Sequence, residues 1–321
     1  RRGREEAGAA ARAPGLVMTT VTDAVTEAPA TTVPEPVRRK SPYPYWFILP
    51  GGVIFTVFFL VPSVMAFWFS LTRWTLFDQE FIGLDNYVQF FREPALASGL
   101  WHTLIYAVVT SGLKVVLGMA LAVLLTGPIL GRGFMRSVAF FPVLVSTIGV
   151  GLTFQILMHP TRGVINHALD LIGVTGPAWL ADPDWALLSV AFVDVWQGVG
   201  LALVIYMAGI LSIPGEYFEA ATMDGAGAWH RFRNITLPLA RPATVSVILL
   251  SLIGGLRKFD LIWAMTKGGP GFTSDVMASV IYKQYQAGFY GLSTAGNVVL
   301  FLLVILIALP LFWFFNRKED A

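Results

Sequence analysis

Ionisable side chains in apolar runs are where this chain could do chemistry. Asp194, Trp196 and Gln197 interrupt one such run, and Arg257, Lys258 and Asp260 interrupt another. Gln155 and Asn297 place amides in two further runs, and Lys114 sits alone in the middle of a fifth. Groups of this kind lose water inside a bilayer and must find partners, so they mark solute or ion pathways unless they neutralise one another. At a rise of about 1.5 Å per residue, Asp194 lies about 14 Å from the start of its run at Trp185, and Gln197 about 18 Å. Arg257 to Asp260 lie about 20–24 Å from the start of theirs at Thr244. The two runs traverse in opposite directions, so in a core roughly 30 Å thick both groups reach the same outer half. Trp196, Phe259 and Trp263 are interleaved with them. Planar hydrogen-bonding groups beside aromatic faces suit a sugar, with hydroxyls at its edge and C–H groups on its face. The same residues also fit structural roles: Arg257 or Lys258 could neutralise Asp260 or snorkel to the interface, and Asp194 and Gln197 could join helices. Lys114 fits equally a place on the solute path and half of a buried pair whose partner the sequence does not name.

Other chemistries are excluded or unsupported. With no cysteine there is no disulfide, thiolate nucleophile or cysteine-bound metal. The four histidines, His102, His159, His167 and His230, lack ligand spacing, so no metal is expected. No HExxH, GxSxG or paired-carboxylate constellation suggests an enzyme. None of the six lysines follows a glycine, so the chain has no P-loop and any ATP hydrolysis belongs to another polypeptide. The net charge of +2 gives no argument for nucleic acid.

The elements that must hold these groups are membrane spans. Of the 321 residues 55% are hydrophobic and only 13% charged, against about one quarter charged in soluble domains. About 20 apolar residues cross a bilayer, and six runs qualify: Trp46–Leu71, Leu100–Leu125, Val138–Met158, Trp185–Leu211, Thr244–Met265 and Thr294–Phe315. Prolines 50, 62, 142 and 310 fall inside them, as membrane helices tolerate. The fifth run changes character after Gly254 and Gly255, which suggests a helix broken beside a cavity. Arg38, Arg39, Lys40, Arg132, Arg136, Arg231, Arg233, Arg241, Arg317 and Lys318 all fall on one side of six spans, whereas basic residues in the opposite loops are diluted by acids. The positive-inside rule then makes both termini cytoplasmic. The expected architecture is an all-α membrane protein of six transmembrane helices, with residues 41–321 as the membrane domain. Residues 1–40 are rich in Ala, Thr, Pro and charge, too polar to order themselves, and read as a disordered cytoplasmic tail. They contain no signal peptide, and Met18 is the expected coding start.

One polar segment, residues 212–242, separates the fourth and fifth runs on the cytoplasmic side. Ser212 is expected to cap a helix with Pro214 in its first turn. Gly225 and Gly227 offer a sharp turn, and a second short helix, AWHRFRNI, should stop at Pro238. Such a helix–turn–helix either packs on its own protein or docks a cytoplasmic partner. Small Ala220 and Ala221 admit close approach, and Glu219 and Asp224 supply fixed charge.

The run EAATMDGA (219–226) followed by ITLP (235–238) resembles the EAA motif of permease subunits in bacterial binding-protein-dependent ABC importers. Glu219, Ala220, Ala221, Asp224, Gly225, Ala226, Ile235, Leu237 and Pro238 carry the match. FIGLDNYVQFF (81–91), FFPVLVSTIGVGLTFQILM (140–158) and MTKGGPGFTSD (265–275) resemble the carbohydrate-uptake branch, with its maltose and glycerol-3-phosphate types. One departure is His102, where that branch commonly has Asn. The resemblance implies a type I ABC importer permease fold in a bacterial cytoplasmic membrane and a sugar substrate. It implies that 212–242 forms a coupling element docking on the ATPase. Implied partners are two ATP-binding subunits carrying ATP-Mg, a second and different permease chain, and an extracytoplasmic solute-binding lipoprotein; this chain itself needs no cofactor. The 265–275 loop, flexible by composition, is expected near the docked binding protein or the channel mouth. The competing class is an ion-coupled secondary transporter, for which an internal repeat would be expected and none is evident.

Overall fold

The computed structural model describes residues 45–75 and 77–316. The expected tail 1–40, the start at Met18, and the basic residues 38–40 and 317–318 lie outside the described residues. Two compact units are distinguished, Arg1–Gly52 and Val53–Ala321. Among the described residues the first contributes only the beginning of α1 (Trp46–Phe69). The rest comprises a hairpin of β1 (Thr72–Trp74) and β2 (Gln79–Phe81), then α2 (Asp85–Arg92), α3 (Pro94–Thr126), α4 (Arg132–Leu144), α5 (Thr147–Leu157), α6 (Val164–Leu171) and α7 (Pro183–Leu211). There follow α8 (Gly215–Met223), α9 (Ala228–Leu239), α10 (Arg241–Leu256), α11 (Asp260–Met265), α12 (Met277–Gln286) and α13 (Tyr290–Asn316).

Four helices are unbroken and long enough to cross a bilayer: α1, α3, α7 and α13. Two bent pairs, α4 with α5 at 98° and α9 with α10 at 68°, raise the count to as many as six if each pair is one span. The first, second, fourth and sixth expected runs fall on the four unbroken helices, the third falls on the bent pair α4–α5, and the fifth is divided between α10 and α11. Physical causes are local. Pro142 removes a donor near the end of α4, and the amide of Gln197 on α7 takes over the carbonyl at the break, donating to Val145 O at 3.1 Å and to Thr147 Oγ1 at 3.3 Å. The fifth run ends at Leu256 and restarts at Asp260, as the change after Gly254 and Gly255 suggests. Elsewhere proline widens a turn instead of ending a helix. A π-turn at Thr56–Leu60 precedes Pro62, and another at Phe232–Thr236 precedes Pro238. In each the carbonyl four residues before proline would lack its donor, and a wider turn accommodates this.

The heart of the bundle is α3 packed along α7, with α10 against both and α4 against α7. Alternation of small and large residues allows this closeness. Two apolar clusters stack along the α3–α7 seam. One holds Tyr106, Val190, Leu261, Ile262 and Met265, and the other Met119, Leu125, Leu203, Tyr206 and Val247. Lys114 and Asp194 fall between them. A third cluster, around Phe90, Met277 and Leu292, seats α12 and the start of α13.

Candidate functional site

Two regions gather the residues singled out above. In the first, α8 ends in a Schellman arrangement. Gly225 takes φ of +76°, Ala226 N donates to Ala221 O at 2.8 Å and Gly225 N to Thr222 O at 3.0 Å. These two bonds satisfy the last carbonyls of the helix, and the left-handed residue that makes them possible is favoured as glycine. The order of the motif is therefore a helix stop, with Ala221 and Ala226 meeting across it. Arg231 ties the next helix back, donating to Thr222 Oγ1 at 2.9 Å.

Several local expectations shift here. Ser212 closes α7, donating to Gly209 O at 2.8 Å, because the long apolar helix runs into it. Pro214, at φ −56° and ψ 134°, precedes the first turn of α8 rather than lying in it. Gly227 is in ordinary extended conformation (φ −67°, ψ 168°), so only Gly225 uses its freedom. Pro238 does not stop α9, which runs on to Leu239 before the 68° bend. The outward surface is the main feature. α8 buries no residue, Met223 is 89% exposed and Trp229 70%. Glu219, Ala220, Asp224, Leu237 and Pro238 are exposed, while Ala221, Ala226 and Ile235 are half-buried. The sequence marked the motif but not Met223 or Trp229, whose exposure only the turn geometry decides.

In the second region, the break between α10 and α11 carries Lys258 to α7. Asp194 is bridged on both sides, by Lys114 Nζ to Oδ2 at 2.6 Å and by Lys258 Nζ to Oδ1 at 2.5 Å. The unnamed partner of Lys114 is thus Asp194, and Lys258 pairs with Asp194 rather than Asp260. The Asp194 side chain is 2% exposed. Room for Lys114 comes from Gly198, where a Cβ would stand 2.7 Å from Lys114 Cε. The Tyr106 hydroxyl on α3 is buried without a hydrogen-bond partner among the described residues. A cavity of about 130 Å³ opens beside the triad, between α7 and α10.

The other candidates separate from this centre. Gln197 braces the α4–α5 bend. Trp196 is 45% exposed, with its ring 5.2 Å from Phe154. Phe259 stacks on Trp263 at 5.6 Å, with Tyr282 edge-on to both. Gln155, Arg257 and Asp260 are exposed. Asn297 lines a different cavity with Ser63 and Phe67. The loop before α12 is pinned rather than loose: Ser274 and Asp275 are fully buried, and Asp275 accepts from Ser279 at 2.7 Å and from Lys283 at 2.6 Å. The unusual His102 has its place here, its Nδ1 bonded to Asp275 O at 3.0 Å. No group of side chains that could hold a metal occurs among the described residues.

Residues 114–318 match the family described as binding-protein-dependent transport system inner membrane component. The trehalose/maltose transport system permease protein of Thermococcus litoralis is 32% identical over 269 residues, 83% of this chain and 91% of the relative. The sn-glycerol-3-phosphate transport system permease protein of Pectobacterium atrosepticum is 31% identical over 298 residues, 90% and 99% of the two chains. In fold the chain is similar to a bacterial ABC transporter involved in import of the acidic polysaccharide alginate, with a TM-score of 0.76 at 24% identity, over 85% of this chain and 94% of that one.

Proposed function

The chain belongs to the inner membrane components of binding-protein-dependent transport systems, and from that premise we propose that it forms one half of the path by which an ATP-driven importer carries a carbohydrate inward. It is a permease subunit of an ABC importer, with that fold. The carbohydrate is proposed on the names of its relatives, which handle trehalose or maltose and sn-glycerol-3-phosphate. Two ATP-binding subunits with ATP-Mg, a second and different permease and an extracytoplasmic binding lipoprotein complete the assembly. A bacterial cytoplasmic membrane, with both termini and residues 212–242 on the cytoplasmic side, fits the charge pattern.

One observation carries the coupling role: the capped helix α8 holds its shape while burying none of its residues, and leaves Met223 exposed at its end, with Trp229 exposed in the first turn of α9. A polar-flanked apolar tip of this kind fits a cleft on a soluble partner. Closure of the two ATPases would then move α8 and α9 and, through the bend at residues 239–241, the helix α10 that borders the ion triad. Mild-detergent purification of the tagged chain from its native membrane tests the assembly. Co-purification of an ATPase, a second permease and a binding lipoprotein is expected; a chain that purifies alone would overturn the proposal and promote the secondary carrier.

A further inference from the structure

Resting on the importer reading, we propose that the cavity beside Asp194 is an anion site and that the carbohydrate carried bears a carboxylate or a phosphate ester. Two ammonium groups meet one carboxylate there, and among the described residues no second carboxylate pairs with either lysine, so the cluster holds one more cation than anion. Such a charge is costly unless a counter-charge reaches it. Hydrogen-bond capacity points the same way. Each oxygen of Asp194 takes one lysine and keeps one further lone pair, whereas each ammonium has three N–H donors, of which one faces Asp194. Among the described residues no further acceptor is bonded to either lysine. Ser251, on the same wall, gives its proton to Val247 O at 2.6 Å and meets Ser111 Oγ at 2.8 Å.

The pocket therefore presents more spare donors than spare acceptors, with two ammonium groups against one carboxylate. A neutral sugar hydroxyl both donates and accepts, whereas a carboxylate or phosphate only accepts, which is what the two lysines ask for. A single water needs only roughly 10–15 Å³, so about 130 Å³ accommodates an anionic group. Leu201 and Leu250 line the mouth and are themselves exposed at 45% and 56%, giving an apolar wall for the C–H face of a ring whose charged substituent points inward.

Lys258→Met is the informative variant, because Lys114 continues to neutralise Asp194 and no buried charge is orphaned. The whole importer, reconstituted in proteoliposomes with its ATPases, second permease and binding protein, is offered a neutral disaccharide, a uronate-containing disaccharide and a disaccharide phosphate. We expect uptake of at least one of the two anionic sugars, reduced at least about tenfold by Lys258→Met and largely retained by Lys258→Arg, with the melting temperature of both variants close to the parent. Which anionic sugar is carried distinguishes carboxylate from phosphate. Uptake confined to the neutral disaccharide overturns the anion site and leaves the importer reading standing. So does anionic uptake that Lys258→Met leaves unchanged. Transport of none of the three overturns the carbohydrate reading itself.

Discussion

Asp194 ties three segments of the bundle together through one carboxylate. Its carboxylate lies between two apolar clusters and holds α3 and α10 to α7 through Lys114 and Lys258. Removing it leaves two ammonium groups facing each other in a low-dielectric interior, and breaking a buried pair from one side typically costs about 3–5 kcal/mol. Asp194→Asn is therefore expected to lower the melting temperature of the solubilised protein sharply, while Lys258→Met, which retains a neutral pair, lowers it little. Thermal unfolding followed in detergent checks this, and equal melting of the two variants would refute the triad as a structural clasp. Much of this was legible in advance. Depth along each helix predicted that residues 194 and 258 reach comparable levels, and a buried pair was one of the two readings open for Lys114. The partner was not, because it stands 80 residues away in sequence and either Asp194 or Asp260 would have served.

At the scale of elements, residues 219–226 are a helix and its stop written into eight positions. Gly225 is the point where substitution acts most cleanly, since its φ of +76° disfavours any L side chain while nothing lies within 4 Å of where a Cβ would be. A left-handed backbone costs a non-glycine residue roughly 1–2 kcal/mol, enough to reorient a single exposed turn without unfolding the bundle. Gly225→Asp, which adds charge to strain, is expected to leave the chain inserted and abolish solute uptake while ATP hydrolysis by the partner persists uncoupled; Gly225→Ala should fall between it and the parent. Paired uptake and ATPase assays on the same membranes decide this, and normal uptake by the Asp variant sinks the coupling role. Pattern alone located the helices but misplaced their ends. Ser212 and Pro238 have the residue types of a start and a stop, yet the adjoining hydrophobic helix absorbs the first, and a π-turn carries the chain past the second.

At the scale of the whole molecule, the long helices differ widely in how much of their apolar surface is covered. None of the most apolar window of α1 is buried, and only 6% of that of α13, against 56% for α7. Surfaces as apolar as these require lipid or another chain against them. The energy source is a property of the assembly, so it is tested there. Collapse of the proton gradient with ATP preserved should leave uptake intact, whereas ATP depletion should stop it; the reverse pattern would favour an ion-coupled carrier. Composition and spacing by themselves determined the membrane class, the six apolar runs, the absence of a P-loop and the family motif, because each depends on residues adjacent in the chain or one helical turn apart. Tertiary structure alone decided that two of the runs bend, that Asp194 takes both lysines, and that Asn297 and Gln155 stand away from the triad. Those outcomes depend on which helix faces meet, and the meeting is set by packing among residues far apart in sequence, to which local periodicity is blind.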